Sequence, residues 1–141
     1  MSSQVVVYVL TALAAVVVVL TRVRLGRADG AARRIDVGRR WLAVHTGAGA
    51  LALVLWVVFL VAPADTALGG SLLGVVALGL WWVVALVGLL ILARWLPSKG
   101  KHAQAGTEDT WSTGPGLSVL AHGGMVVGVA VFTWAYWSAV V

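Results

Sequence analysis

The chain has 141 residues, of which 61% are hydrophobic and 11% charged, and its mean hydropathy is +1.00. A water-soluble domain of this length cannot cover itself with so little polar surface, so composition alone excludes one. The net charge of +5 does not imply nucleic acid, because no groove-reading or stacking module accompanies the arginines. The lack of cysteine excludes disulfides, thiolate-bound metals, iron–sulfur clusters and covalently attached c-type haem.

Four apolar runs follow one another, at about residues 5–21, 41–62, 68–95 and 116–140. Each approaches or exceeds the length needed to cross roughly 30 Å of hydrocarbon as a helix. Valine is abundant in them, but a lone apolar segment in lipid must satisfy its own backbone, which selects helix over strand. The alternating pattern of a membrane β-barrel is absent. The expected fold is therefore all-α, an integral membrane four-helix bundle formed by a single domain over residues 1–141.

The connections differ sharply. The first, about residues 22–40, carries seven arginines including Arg39 and Arg40. The second, PADTAL at 63–68, is short, with Asp65 its only charge. The third, about 96–115, is polar and glycine-rich, and contains Lys99, Lys101, His102, Glu108 and Asp109. All ten Lys and Arg lie in or beside the first and third connections. By the positive-inside rule those two are cytoplasmic, and both termini with the 63–68 turn are external. The order of apolar run and arginines, with no basic residue in MSSQ, fits an uncleaved first helix rather than a signal peptide. The expected location is the cell (inner or plasma) membrane, where the basic loop also meets anionic headgroups.

Two of the three histidines lie inside apolar runs. His45 follows Trp41 by four residues, and His122 follows Leu117 by five. At 1.5 Å rise per residue their depths are about 6 and 7.5 Å. Both helices start from the cytoplasmic face, so they run parallel and the two imidazoles share a level. Ionisable residues at such depth usually serve function. Each has glycines beside it: Gly47 and Gly49 after His45, and Gly123 and Gly124 after His122, with Gly124 and Gly128 forming a small-xxx-small pair. Such glycines leave room for close approach or for a flat ligand. Arg39, Arg40 and Arg94 lie near the same face, where they can pair with carboxylates. Ser118, one turn before His122, is placed to bond a carboxylate or an imidazole N–H.

The H-x-G-x-G of helix two (His45, Gly47, Gly49) and the H-G-G of helix four (His122, Gly123, Gly124) resemble membrane cytochromes b. These include the cytochrome b of bc complexes and the cytochrome b561 group, in which histidines on alternate helices of a four-helix core hold haem. The resemblance covers one histidine pair only, because helices one and three contain none. It implies a single haem b with His45 and His122 as axial ligands. The propionates would lie on Arg39, Arg40 and Arg94, and the haem would exchange one electron at the cytoplasmic side with quinone or a soluble redox partner. So small a chain is not expected to be an enzyme alone, and it fits an electron-transfer subunit of a larger oxidoreductase.

Other readings compete. The histidines can be structural, in a cofactor-free accessory or assembly subunit whose glycine and tryptophan faces pack on partner helices. A small transporter or histidine proton relay is a third reading, weakened by the lack of carboxylates within the runs. His45, His122 and Met125 together could make a His₂Met copper site. Zinc lacks its remaining ligands. Trp41, Trp95 and Trp111 suit one membrane interface and Trp134, Tyr136 and Trp137 the other, as an aromatic belt.

Overall fold

In a computed structural model of the chain, residues 2–27, 39–99 and 115–141 are described; the side chains of residues 24–27, 39, 40, 42, 94–99 and 115–118 are not. Four helices account for nearly all of these residues: α1 (Ser3–Arg27), α2 (Arg39–Val61), α3 (Ser71–Lys99) and α4 (Pro115–Trp137). Among the described residues there is no strand. All four helices are long and apolar enough to cross a membrane, over Ser3–Val23, Ala43–Val61, Ser71–Ala93 and Val119–Trp137. Helix α1 outlasts its apolar run because leucine and arginine are good helix formers, so nothing in TRVRLGR stops the backbone at the end of the valines. Residues 68–70, expected at the start of the third helix, instead belong to the turn before it.

Helix α2 packs on α3, α3 on α4, and α1 on both α2 and α4. This closes a ring in which α2 and α4 stand diagonally opposed. The α2–α3 hairpin is held in register by its turn. Thr66 donates its backbone N–H to the Pro63 carbonyl at 3.0 Å and accepts at Oγ1 from the Gly69 N–H at 3.2 Å. A Cβ at Gly69 would run into the Pro63 carbonyl, so the reversal requires glycine there.

The interior at the turn end of the bundle is aromatic. Trp56, Trp81 and Phe132 are almost wholly buried, with Val7, Ala52, Ala77, Val129 and Ala135 filling the space between them. Trp56 stacks on Phe132 at 4.8 Å, Trp81 lies at 6.2 Å from Phe132, and Phe59 links Trp56 to Tyr136 at 5.5 and 5.8 Å. Gly74 makes room for this cluster, since a Cβ there would lie 2.6 Å from Tyr136 Cε2 and 3.0 Å from Phe59 Cε2.

Two tryptophan–threonine hydrogen bonds join neighbouring helices. Trp56 Nε1 donates to Thr11 Oγ1 at 3.1 Å, and the Thr11 hydroxyl donates in turn to the Val7 carbonyl at 2.8 Å. Trp82 Nε1 donates to Thr133 Oγ1 at 3.1 Å, and Thr133 to the Val129 carbonyl at 2.8 Å. Each hydroxyl serves as acceptor for a partner helix and donor to its own, so neither indole N–H nor hydroxyl proton is left unpaired in these two clasps.

Candidate functional site

His45 on α2 and His122 on α4 face each other across the diagonal of the bundle. Their ring centroids are 6.1 Å apart and their planes differ by 15°. Matched depth on two parallel helices therefore becomes side-chain proximity.

Against both rings lies Gly88 of α3, a residue that nothing in its local sequence singles out. A Cβ added there would sit 2.7 Å from His122 Cδ2, 3.0 Å from His122 Nε2 and 2.9 Å from His45 Cε1. Any larger residue would intrude on the gap, and glycine keeps it clear. Its placement follows from the hairpin. The opposed pairs His45 and Gly88, Gly49 and Val84, and Phe59 and Gly74 are all centred on the same point of the turn, between residues 66 and 67.

The other glycines occupy different positions. Gly49 is buried against α3, where an added Cβ would meet Val84 Cγ1 at an ordinary 3.7 Å. Gly123 and Gly124 are exposed, and a Cβ at either, or at Gly47 or Gly128, would find nothing within 4 Å. They border open space on α4 and α2, while Gly88 meets the gap between the histidines. The side chains of Arg39, Arg40, Arg94 and Ser118 lie outside the described residues, as do His102, Glu108, Asp109 and Trp111. A cation outside the expected set of propionate partners does lie at this end: Arg22 on α1 donates from its guanidinium to the carbonyl of Thr46, the residue after His45, at 3.4 Å.

The spacing of the rings can be compared with simple chemistry. A metal–imidazole bond of about 2.0–2.1 Å puts the centroids of two aligned imidazoles on one metal about 6.3 Å apart. A direct N–H···N hydrogen bond of about 2.9 Å would draw aligned rings to about 5.2 Å. The two rings are stacked nearly parallel with centroids 6.1 Å apart, wider than a direct hydrogen bond between aligned rings. His45 Nδ1 is buried with no hydrogen-bond partner, so that nitrogen is uncommitted to the protein, an arrangement that normally calls for a ligand or an ordered water. Among the described residues no group of three or more His, Cys, Asp or Glu is assembled. Two protein ligands of this kind suit a metal that brings further ligands of its own or needs few.

No family model, curated protein or solved structure matches this chain, so the reading of the site rests on its geometry.

Proposed function

We propose that the chain is a membrane b-type haem protein, or the haem-bearing subunit of a larger complex, with His45 and His122 as axial ligands. The observation that carries this reading is the opposed imidazole pair at 6.1 Å. Haem iron arrives with four pyrrole nitrogens, so two imidazoles complete its coordination, and when bound it supplies one-electron exchange. The protein's part is to hold two imidazoles in line and exclude water with its apolar helices. Arg22, Arg39, Arg40 and Arg94 lie towards the basic end, where they can neutralise propionates. By charge distribution this end is cytoplasmic and both termini are external. Donor or acceptor is then a quinone or a soluble redox partner at that face. A macrocycle would need more room beside Gly88 than the packed helices leave.

One observation favours a second reading. Gly123, Gly124 and Gly128 leave open space along α4, a smooth surface suited to a partner helix. The same chain can therefore sit within a larger membrane complex, with or without haem.

The test is the visible spectrum of protein purified from cells supplied with haem. The expected result is a Soret band and a sharp reduced α-band at one haem per chain, lost in His45→Ala and in His122→Ala but retained in His102→Ala. A colourless, folded protein overturns the haem reading and leaves the accessory-subunit reading in place.

A further inference from the structure

The four helices fall into two hairpins, α1–α2 and α3–α4. We propose that these are two copies of one hairpin unit, packed face to face about a two-fold axis along the bundle. The inner face of each is then a binding surface for a hairpin of its own kind, and the histidine pair exists only across that interface. The proposal is independent of what the histidines bind.

The axis follows from the order of the helices around the ring. Neighbours run antiparallel, so a half-turn about the long axis lays α1 on α3 and α2 on α4 with their directions kept. Ring contacts at both ends fix the register of α2 on α4. His45 meets His122 at 6.1 Å and Phe59 meets Tyr136 at 5.8 Å, and in both pairs the numbers differ by 77. The same step carries Trp56 onto Thr133, the residues through which α2 and α4 join the tryptophan–threonine clasps. Their partners, Thr11 on α1 and Trp82 on α3, differ by 71. The two hydrogen bonds thus occupy one position of the hairpin, with indole and hydroxyl exchanged between its helices.

Burial obeys the step of 71 that the clasps define. It lays buried Val7 on buried Leu78 and buried Ala14 on buried Ala85. It lays exposed Val5, Ala12 and Val19 on exposed Val76, Val83 and Leu90. On α2 and α4 the step of 77 lays Ala52 on Val129, both wholly buried. A slip of one residue would turn a helix by about 100° and mix these faces. The copies differ where their neighbours differ. Val84 is buried against Gly49, whereas its counterpart Leu13 is exposed, because α2 and α3 share a tight turn that α4 and α1 do not.

In a two-fold arrangement, a residue near the axis meets its own equivalent. One histidine per hairpin therefore becomes two imidazoles at one level. Neither hairpin holds both, so the pair is a property of the interface and not of either half.

The experiment uses the full chain in detergent micelles, with nitroxide labels on introduced cysteines, since it has none of its own. Two pairs in the first hairpin are Ala12→Cys with Val57→Cys, and Val19→Cys with Val57→Cys. Their equivalents in the second are Val83→Cys with Trp134→Cys, and Leu90→Cys with Trp134→Cys. All these positions are exposed. Pulsed double electron resonance should give equivalent mean distances that agree within about 3 Å, two residues of helix rise. A larger difference in either comparison overturns the repeat. Exchanging the second clasp, Trp82→Thr together with Thr133→Trp, rebuilds there the arrangement of the first. The double variant should recover more than half of the loss in thermal midpoint caused by either single variant. Losses that add, or a double variant that fails to fold where Trp82→Thr folds, overturn the equivalence of the two hairpins.

Discussion

Replacing Gly88 by alanine tests the histidine gap with a single methyl group. The added Cβ would stand 2.7 Å from His122 Cδ2 and 2.9 Å from His45 Cε1, whereas carbon atoms in contact settle at about 3.5–4.0 Å. The rings must therefore each give way by about 0.6–1.3 Å, or α3 must retreat by as much. Overpacking of this kind costs about 1–3 kcal/mol. Against it stands a gain of about 1 kcal/mol from replacing glycine within a helix. Gly79, on the same helix, isolates that gain, since it is exposed and a Cβ there meets nothing within 4 Å. The expected outcome is that Gly88→Ala is about 1–3 kcal/mol less stable than Gly79→Ala in detergent unfolding titrations. It should also take up haem at least tenfold more weakly, while Gly79→Ala binds as wild type. If the two variants unfold alike and both retain full haem, Gly88 is not set against the histidines and the geometry proposed for the site is wrong.

Thr11→Val removes the acceptor of the Trp56 indole within the buried α1–α2 contact. Stability should fall by about 1–2 kcal/mol, and Trp56→Phe in that background should recover part of the loss; additive losses in a double-mutant cycle would show that the bond contributes nothing. Gly74→Ala pushes on Tyr136 and Phe59 at the far end of the bundle. It should lower stability by about 1–3 kcal/mol with haem stoichiometry unchanged, and haem loss would mean that the two ends are coupled. Because the chain has no cysteine, single-cysteine variants report topology cleanly. A membrane-impermeant maleimide added outside intact cells should label Ala64→Cys and not Ala105→Cys, and the reverse pattern would invert the orientation implied by the arginines.

The helices are legible in the sequence because an apolar run of membrane length has few alternatives to helix. The histidine pair is legible for a geometric reason: equal distances from the starts of two parallel helices give equal depth, and the bundle then needs only to turn both towards its centre. Gly88 is not legible by local inspection. It is one of 17 glycines, and the runs LVGLL and LGLWW, around it and around Gly79, look alike. The signal lies in the turn, since counting outward from between residues 66 and 67 brings 88 opposite 45. Gly49, Gly123 and Gly124 stand out by adjacency in sequence, yet adjacency along a helix turns a residue by about 100° per step. Gly123 and Gly124 consequently follow His122 directly but lie exposed on α4. Arg22 is hidden for a different reason, because the run of valines suggests that α1 ends just before it.

The aromatic half of the bundle bears on why the proposed haem reading has one site rather than two. Helices one and three carry no histidine, but the packing makes the stronger argument. About 10 Å below Gly88, two helical turns along α3, Trp81 is wholly buried with its indole N–H unpaired, and Trp56 and Phe132 close the section around it. A second flat cofactor at that level would have to displace all three rings. Losing that burial would cost about 1.5–3 kcal/mol per side chain, or more once cavity terms are included, and the Trp56–Thr11 clasp would be lost as well. Introducing two histidines there would therefore not create a second site. The rings close the bundle beneath the histidine pair, so a ligand bound there, as proposed, would be reached from the basic end.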